Sequence, residues 1–326
     1  MLVFVYCLFI IYLIVCVANA SNGDHSPYFQ ECLHKFITSN CTKGFNEKRP
    51  IYLSIFMWDC VEESKYECMW LTVDFYIKSR FDVPQFYGKW PFIRFFGIQE
   101  PLSVLASVIH FIINLLMLKR IKQEISNEAK LKTLWIGFSY MNLIAWFWSS
   151  VFHTRDFAFT EKMDYYCAFG LVLYQVNAFF IRFFAYKNNI GREKRRFFSY
   201  LISFVCLFFF SYHIYYLHFI HFDYGYNMKV NIFFGLFNSI CWLTCSTYDY
   251  FYNKLKYNWR NILSILIIIV STGLFEVPDF VPLFWIADGH ALWHLTTTIV
   301  PLFWYQFFID DCSHHLKANY EVLHLD

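Results

Sequence analysis

Trp146-Phe-Trp-Ser-Ser-Val-Phe-His-Thr-Arg-Asp-Phe-Ala-Phe-Thr-Glu-Lys-Met-Asp164 is an aromatic, apolar run that ends abruptly in Ser149, Ser150, His153, Arg155, Asp156 and Asp164. Polar side chains at the end of a hydrophobic segment are costly to hold in or beside lipid, so this one marks a functional site. A second such stretch, Asp288-Gly-His-Ala-Leu-Trp-His294, lies far downstream. The two can form one site only if the chain brings them to the same face of a membrane.

The wider composition demands that membrane. Of 326 residues, 58% are hydrophobic, 23% aromatic and only 16% charged, and the mean hydropathy is +0.36, far too apolar for a soluble domain. A net charge of +2 carries no bulk basicity and excludes nucleic acid as an expected partner. Residues 21–96 mix turn residues and charges and contain no apolar run of about 18 residues, so they read as a small domain outside the bilayer. Apolar runs then follow at 97–118, 133–153, 164–184, 199–221, 229–251, 261–278 and 282–308. Each is close to the roughly 20 residues that a spanning helix needs. The expected fold is therefore an all-α membrane protein, a seven-helix transmembrane bundle over 97–308 with a tail at 309–326.

Basic residues concentrate on the cytosolic side of membrane proteins. Lys119, Arg120, Lys122, Lys130 and Lys132 separate the first two runs; Lys187, Arg192, Lys194, Arg195 and Arg196 separate the third and fourth; Lys254, Lys256 and Arg260 separate the fifth and sixth. The intervening loops are short, and each carries an acid. That alternation puts the 21–96 domain, His153, Asp164, His290 and His294 together at the luminal face.

The amino terminus agrees. Met1 to Val17 is apolar and is followed by Ala18-Asn19-Ala20, the small-x-small pattern of a cleaved signal at 1–20. The absence of Lys or Arg before the run keeps an uncleaved anchor as the alternative. Outside the signal, the apolar runs and the tail with Cys312, Cys32, Cys41, Cys60 and Cys68 remain; four cysteines behind a signal read as two disulfides with three possible connectivities. No CxxC pair supports a zinc finger. Asn40-Cys41-Thr42 is a glycosylation sequon, meaningful if the domain is luminal.

On a helix, residues four apart share a face, so Ser149 lies beside His153 and His290 beside His294. Two imidazoles from one helix and a third from another supply three nitrogens to a metal. Three protein ligands with an open fourth position is the catalytic form of zinc, which makes hydroxide available near pH 7. Asp164 is then placed to exchange a proton and Ser149 to steady an oxyanion. Interfacial His and Trp also serve simply as amphipathic anchors, and His-x-x-x-His alone recurs by chance. His213, His218 and His221 form a rival cluster in a Tyr-rich belt, which reads as such an anchor. Glu100 before Pro101 suits a helix start on dipole grounds alone, yet is near enough to support the site. Asp288 is a candidate partner for His290, and Arg155 a candidate partner for Asp156 or for an anionic lipid phosphate.

Several strings in order carry a resemblance: Gln85-Phe-Tyr-Gly-Lys-Trp-Pro-Phe-Ile-Arg-Phe-Phe-Gly-Ile-Gln-Glu-Pro101, the Ser149 to Asp164 stretch, Phe222-Asp-Tyr-Gly-Tyr-Asn227 and Pro282-Leu-Phe-Trp-Ile-Ala-Asp-Gly-His-Ala-Leu-Trp-His294. Over nearly the whole chain after the signal, the sequence resembles the family of post-GPI attachment to proteins factor 3. That family is grouped with alkaline ceramidases and adiponectin receptors as seven-helix membrane hydrolases. Its pattern of Ser-x-x-x-His, a following Asp and a late His-x-x-x-His falls on Ser149, His153, Asp164, His290 and His294. The resemblance implies Zn2+ held by His153, His290 and His294, with Ser149 and Asp164 catalytic. It further implies a phospholipase A2-like enzyme that removes the sn-2 acyl chain of GPI-anchored proteins at the lumen of the Golgi membrane, with the endoplasmic reticulum as the alternative. Relatives carry two more luminal cysteines, at positions matching Lys35 and Ser64 here, as expected if one disulfide has been lost.

Two other functions are compatible with the same residues. The five site residues do not separate an ester from a ceramide-like amide. A luminal folding factor or receptor built on the disulfide domain, with structural zinc, needs no catalysis. Metal-ion transport fits poorly, because the central depths of the apolar runs hold few ionisable residues.

Overall fold

The computed structural model describes residues 22–41, 50–186 and 191–323. The expected signal at 1–20, with Cys7 and Cys16, lies outside these residues, as does Thr42 of the sequon; Asn40 is described and exposed. Among the described residues all regular structure is helical, and three isolated antiparallel bridges, Phe86 with Lys89, Phe95 with Ile98 and Leu283 with Ala287, close tight turns. The chain forms two compact units.

The first unit contains the described residues of 22–105 together with 153–156 and 272–295. It opens with α1 (Pro27–Phe36), where Pro27 at the first helical position sacrifices no needed N–H. A π turn, Ile37–Cys41, extends α1, and α2 (Ile51–Ile55) and α3 (Cys60–Lys78) follow. Asp59 caps α3 by accepting the Glu62 N–H at 2.8 Å. Disulfides Cys32–Cys68 and Cys41–Cys60 lock α1 and its π turn against α3, selecting one of the three connectivities left open by sequence. The core they enclose is small: Phe29, Cys68, Val73 and Phe86, with Trp70 and Trp285 packed against it. Of the two positions where the resemblance implies further cysteines in relatives, Lys35 is exposed and pairs with Glu31 at 2.6 Å. Ser64 is buried, and its hydroxyl donates to the Cys60 carbonyl at 2.8 Å.

The second unit contains 106–152, 157–271 and 296–323. The remaining helices are α4 (Pro101–Glu124), α5 (Lys132–Thr154), α6 (Ala158–Ala185), α7 (Arg192–Tyr215), α8 (Tyr224–Phe251), α9 (Trp259–Ser271), α10 (Gly289–Thr297) and α11 (Val300–Leu323); the start of α4, the end of α5 and α10 as far as Leu295 belong to the first unit. Among the described residues, five helical segments are long and apolar enough to cross a membrane: Pro101–Glu124, Ala158–Ala185, Arg192–Ile220, Tyr224–Phe251 and Lys256–Glu276. The run expected as the second crossing, 133–153, forms the continuous helix α5, which is not among those five; its Trp, Asn and Ser residues lower its hydropathy. The expected crossing over 282–308 is not one helix. A turn at Leu283–Ala287 precedes α10, and residues 298–299 break α10 from α11. Pro301 explains the break: it has no N–H to bond the Thr297 carbonyl and its ring crowds that carbonyl, so α10 ends at Thr297 and a new helix starts at Val300.

Lipid offers apolar side chains as good a home as another helix does, so helices in a bilayer are held by packing and by polar contacts rather than by burial itself. In the second unit Trp135 stacks on Phe308 at 3.8 Å, and Phe138 meets Trp304 edge-on at 5.7 Å. Such pairs contribute about 0.5–1.5 kcal/mol each. A buried ion pair joins α6 to α11: Arg182 donates to both oxygens of Asp311, at 2.9 and 2.7 Å, and the Tyr257 hydroxyl also donates to Asp311, at 3.1 Å.

Candidate metal centre

Local rules set the backbone of the site. Gln99 and Glu100, just before α4, donate their N–H groups to the carbonyls of Thr154 and His153, each at 3.0 Å, which fixes the end of α5. Asp288 caps α10 by accepting the Ala291 N–H at 2.8 Å. Gly289 must be glycine, because a Cβ there would overlap the carbonyl oxygens of Phe275 and Pro278. That close approach lets the first turn of α10 seat His290.

His153, His290 and His294 come together within the first unit, and each offers one ring nitrogen within 4.8 Å of the others. His153 and His294 are buried, and His290 is partly open. Ring centroids lie 5.3 Å apart for His153 with either partner and 4.3 Å apart for His290 with His294. The Nε2 atoms of His290 and His294 converge to 2.8 Å.

Carboxylates hold two of the three rings from behind. Glu100 Oε2 lies 2.6 Å from His153 Nδ1, and Glu276 Oε2 lies 2.8 Å from His290 Nδ1. An ionised carboxylate only accepts, so each Nδ1 carries the proton and each Nε2 keeps its lone pair for a ligand role. Lys89 steadies this arrangement by bridging Glu100 at 2.8 Å and Asp156 at 2.9 Å. Burial works to raise the Glu100 carboxyl, but the charge of Lys89 and the hydrogen bonds from His153 and Lys89 outweigh it and hold that carboxyl well below the usual range. Burial likewise works to depress the Lys89 ammonium, yet Glu100 and Asp156 outweigh it and keep it firmly protonated.

This donor set fits zinc. Catalytic zinc takes three protein ligands at about 2.0–2.1 Å for imidazole nitrogen, and its histidines habitually donate their second N–H to a carboxylate.

The other sequence candidates resolve as follows. Asp288 serves as the helix cap. Arg155 lies with its guanidinium over Trp58 at 3.5 Å, 3.5 Å from Glu62, and donates to the Asp156 carbonyl at 3.0 Å. It is thus tied to α3 within the first unit. Ser149 lies one turn before His153 on α5; it is buried and pairs with Ser107 of α4, Oγ to Oγ, at 2.9 Å. Asp164 lies in the second turn of α6. The histidine rivals do not cluster: His213 is packed between Phe169 and Tyr226, while His218 meets the Tyr166 hydroxyl at 3.5 Å. Sequence reasoning missed Glu276, Lys89 and Ser107. An acid at the end of the apolar run 261–278 was a visible signal for Glu276; nothing in the sequence linked Lys89 to Glu100.

The family description that matches residues 50–312 is the Per1-like family. A Danio rerio protein named GPI-specific phospholipase A2-like PGAP3 is 38% identical over 319 residues, covering 97% of this chain and 98% of its own. The Homo sapiens protein of the same name is 35% identical, covering 95% of each chain. A Drosophila melanogaster protein named Post-GPI attachment to proteins factor 3 is 32% identical, covering 90% of each.

Proposed function

This chain belongs to the Per1-like family, and we propose that it remodels GPI-anchored proteins by metal-dependent hydrolysis of the sn-2 acyl ester of the anchor lipid. The observation that carries the reading is the three-histidine cluster with Nδ1 of His153 and His290 held by Glu100 and Glu276. The relatives' names supply the substrate class and the acyl-ester specificity.

When bound, a zinc ion with three protein ligands supplies Lewis acidity and a water that ionises near neutral pH. The chain's own residues do the rest. Glu100 and Glu276 fix the tautomer and direction of His153 and His290, and Lys89 keeps Glu100 ionised. By the family resemblance, moving a proton from the attacking water to the departing glycerol oxygen falls to Asp164 and support of the developing oxyanion to Ser149. A free fatty acid and a lyso-GPI leave.

We take α5 and the α10–α11 pair as two further crossings, which with the five apolar helices make seven. The basic loops orient the disulfide unit and the histidines to the lumen, in the Golgi membrane where remodelling of finished anchors takes place. The test is a lipid analysis of cells carrying His290→Ala at normal expression, beside the metal content of the purified protein. Retained sn-2 acyl chains with zinc lost supports the reading. Normal remodelling by the variant, or ceramide accumulation with normal anchors, overturns it.

A further inference from the structure

The first unit places bulky aromatic residues where the backbone favours glycine. Phe96 has φ 49°, Phe284 φ 54° and Trp285 φ 62°, left-handed values that strain a side chain with a Cβ. Phe96 and Phe284 are also 66% and 86% exposed, and Phe95 beside them 61%. In water, both the strain and the exposed rings are unfavourable, and Gly or Asn would relieve both.

The roots of these turns are fixed. Buried Trp58 donates its indole N–H to the Gly97 carbonyl at 2.8 Å, and the Ile93 N–H donates to the Trp285 carbonyl at 2.9 Å, tying one turn to the other. Trp70 packs edge-on against Trp285 at 5.3 Å.

Their places in the chain supply the missing phase. Phe96 stands five residues before Pro101, where a membrane-crossing helix begins, and Phe284 eight residues after Glu276, where another ends. At no more than about 3.6 Å per residue, Phe96 lies within roughly 18 Å of the first of these helix ends and Phe284 within roughly 29 Å of the second. We propose that the turns Phe95–Ile98 and Leu283–Ala287 are lipid-inserting tips whose occupant is the acyl-chain layer of the adjoining leaflet. Glu100 follows Phe96 by four residues and His290 follows Phe284 by six, so the tips anchor in lipid the two loops that lead into the metal centre. The inference rests on the membrane reading above and not on the hydrolytic one.

The experiment uses the full chain in phosphatidylcholine vesicles, with photoreactive benzoylphenylalanine in place of Phe96, Phe284 or, as an exposed control on α1, Lys35. After irradiation, phospholipid adducts at 96 and 284 exceed those at 35 several-fold. Equal yields overturn the proposal. The double variant Phe96→Gly, Phe284→Gly gives a second readout, since glycine suits the left-handed backbone and preserves the fold. It keeps its zinc content and its melting temperature in detergent, while turnover of vesicle-embedded lipid falls several-fold; unchanged turnover overturns the proposal. If the unaltered protein binds no zinc and turns over no lipid, the hydrolytic reading falls, and the adduct yields still decide this one.

Discussion

Glu100 Oε2 lies 2.6 Å from His153 Nδ1, while its other oxygen accepts from Lys89 at 2.8 Å. One carboxylate thus orients an imidazole of the candidate metal cluster and is itself held ionised by a cation. Replacing Glu100 by Gln keeps the shape and removes the charge that fixes the His153 tautomer. Zinc affinity then falls about 10- to 100-fold, as is usual when such a supporting carboxylate is lost, measured by competition with a chromophoric chelator.

Glu276 and Asp288 flank the same helix but act differently. Glu276→Gln weakens zinc binding through His290, by a factor similar to that of Glu100→Gln. Asp288→Ala removes the cap of α10 and costs about 0.5–2 kcal/mol of stability, read as a lower melting temperature. If Asp288→Ala instead empties the metal site while leaving melting unchanged, the assignment of Asp288 as a cap is wrong.

The Arg182–Asp311 pair sits fully buried, with Tyr257 as a third partner. Asp311→Ala leaves the guanidinium only its longer 3.4 Å contact with Asp249 and destabilises by up to about 3–5 kcal/mol. Arg182→Met with Asp311→Leu removes both charges and recovers most of that loss. A thermal shift series in detergent measures both.

The disulfides Cys32–Cys68 and Cys41–Cys60 close loops with sequence separations of 36 and 19 residues. Removing either by paired Cys→Ser substitution costs about 2–5 kcal/mol in a domain with so small a core. Proteolysis of the first unit accelerates accordingly, since local opening exposes its backbone.

Much of this was legible in the sequence because lipid imposes a simple rule. Backbone polar groups in a bilayer must bond within their own helix, so long apolar runs such as 164–184 and 229–251 translate directly into α6 and α8. Ser149 and His153, and His290 and His294, were paired by helical spacing alone, and His153, His290 and His294 do converge. The run 282–308 misled because hydropathy does not register a proline: Pro301 and the Leu283–Ala287 turn divide it into pieces.

What the sequence determined by itself was periodic and local: helices, their apolar lengths, the histidine spacing and the number of cysteines available for bridging. What only the tertiary structure decided was pairing across distance. The choice of Cys32 with Cys68, the meeting of Glu276 with His290 and of Lys89 with Glu100, and the tie of Arg155 to Trp58 depend on which surfaces pack. A helix repeats every 3.6 residues wherever it lies, whereas two side chains far apart in sequence meet only when the whole chain has paid the entropy of bringing them together.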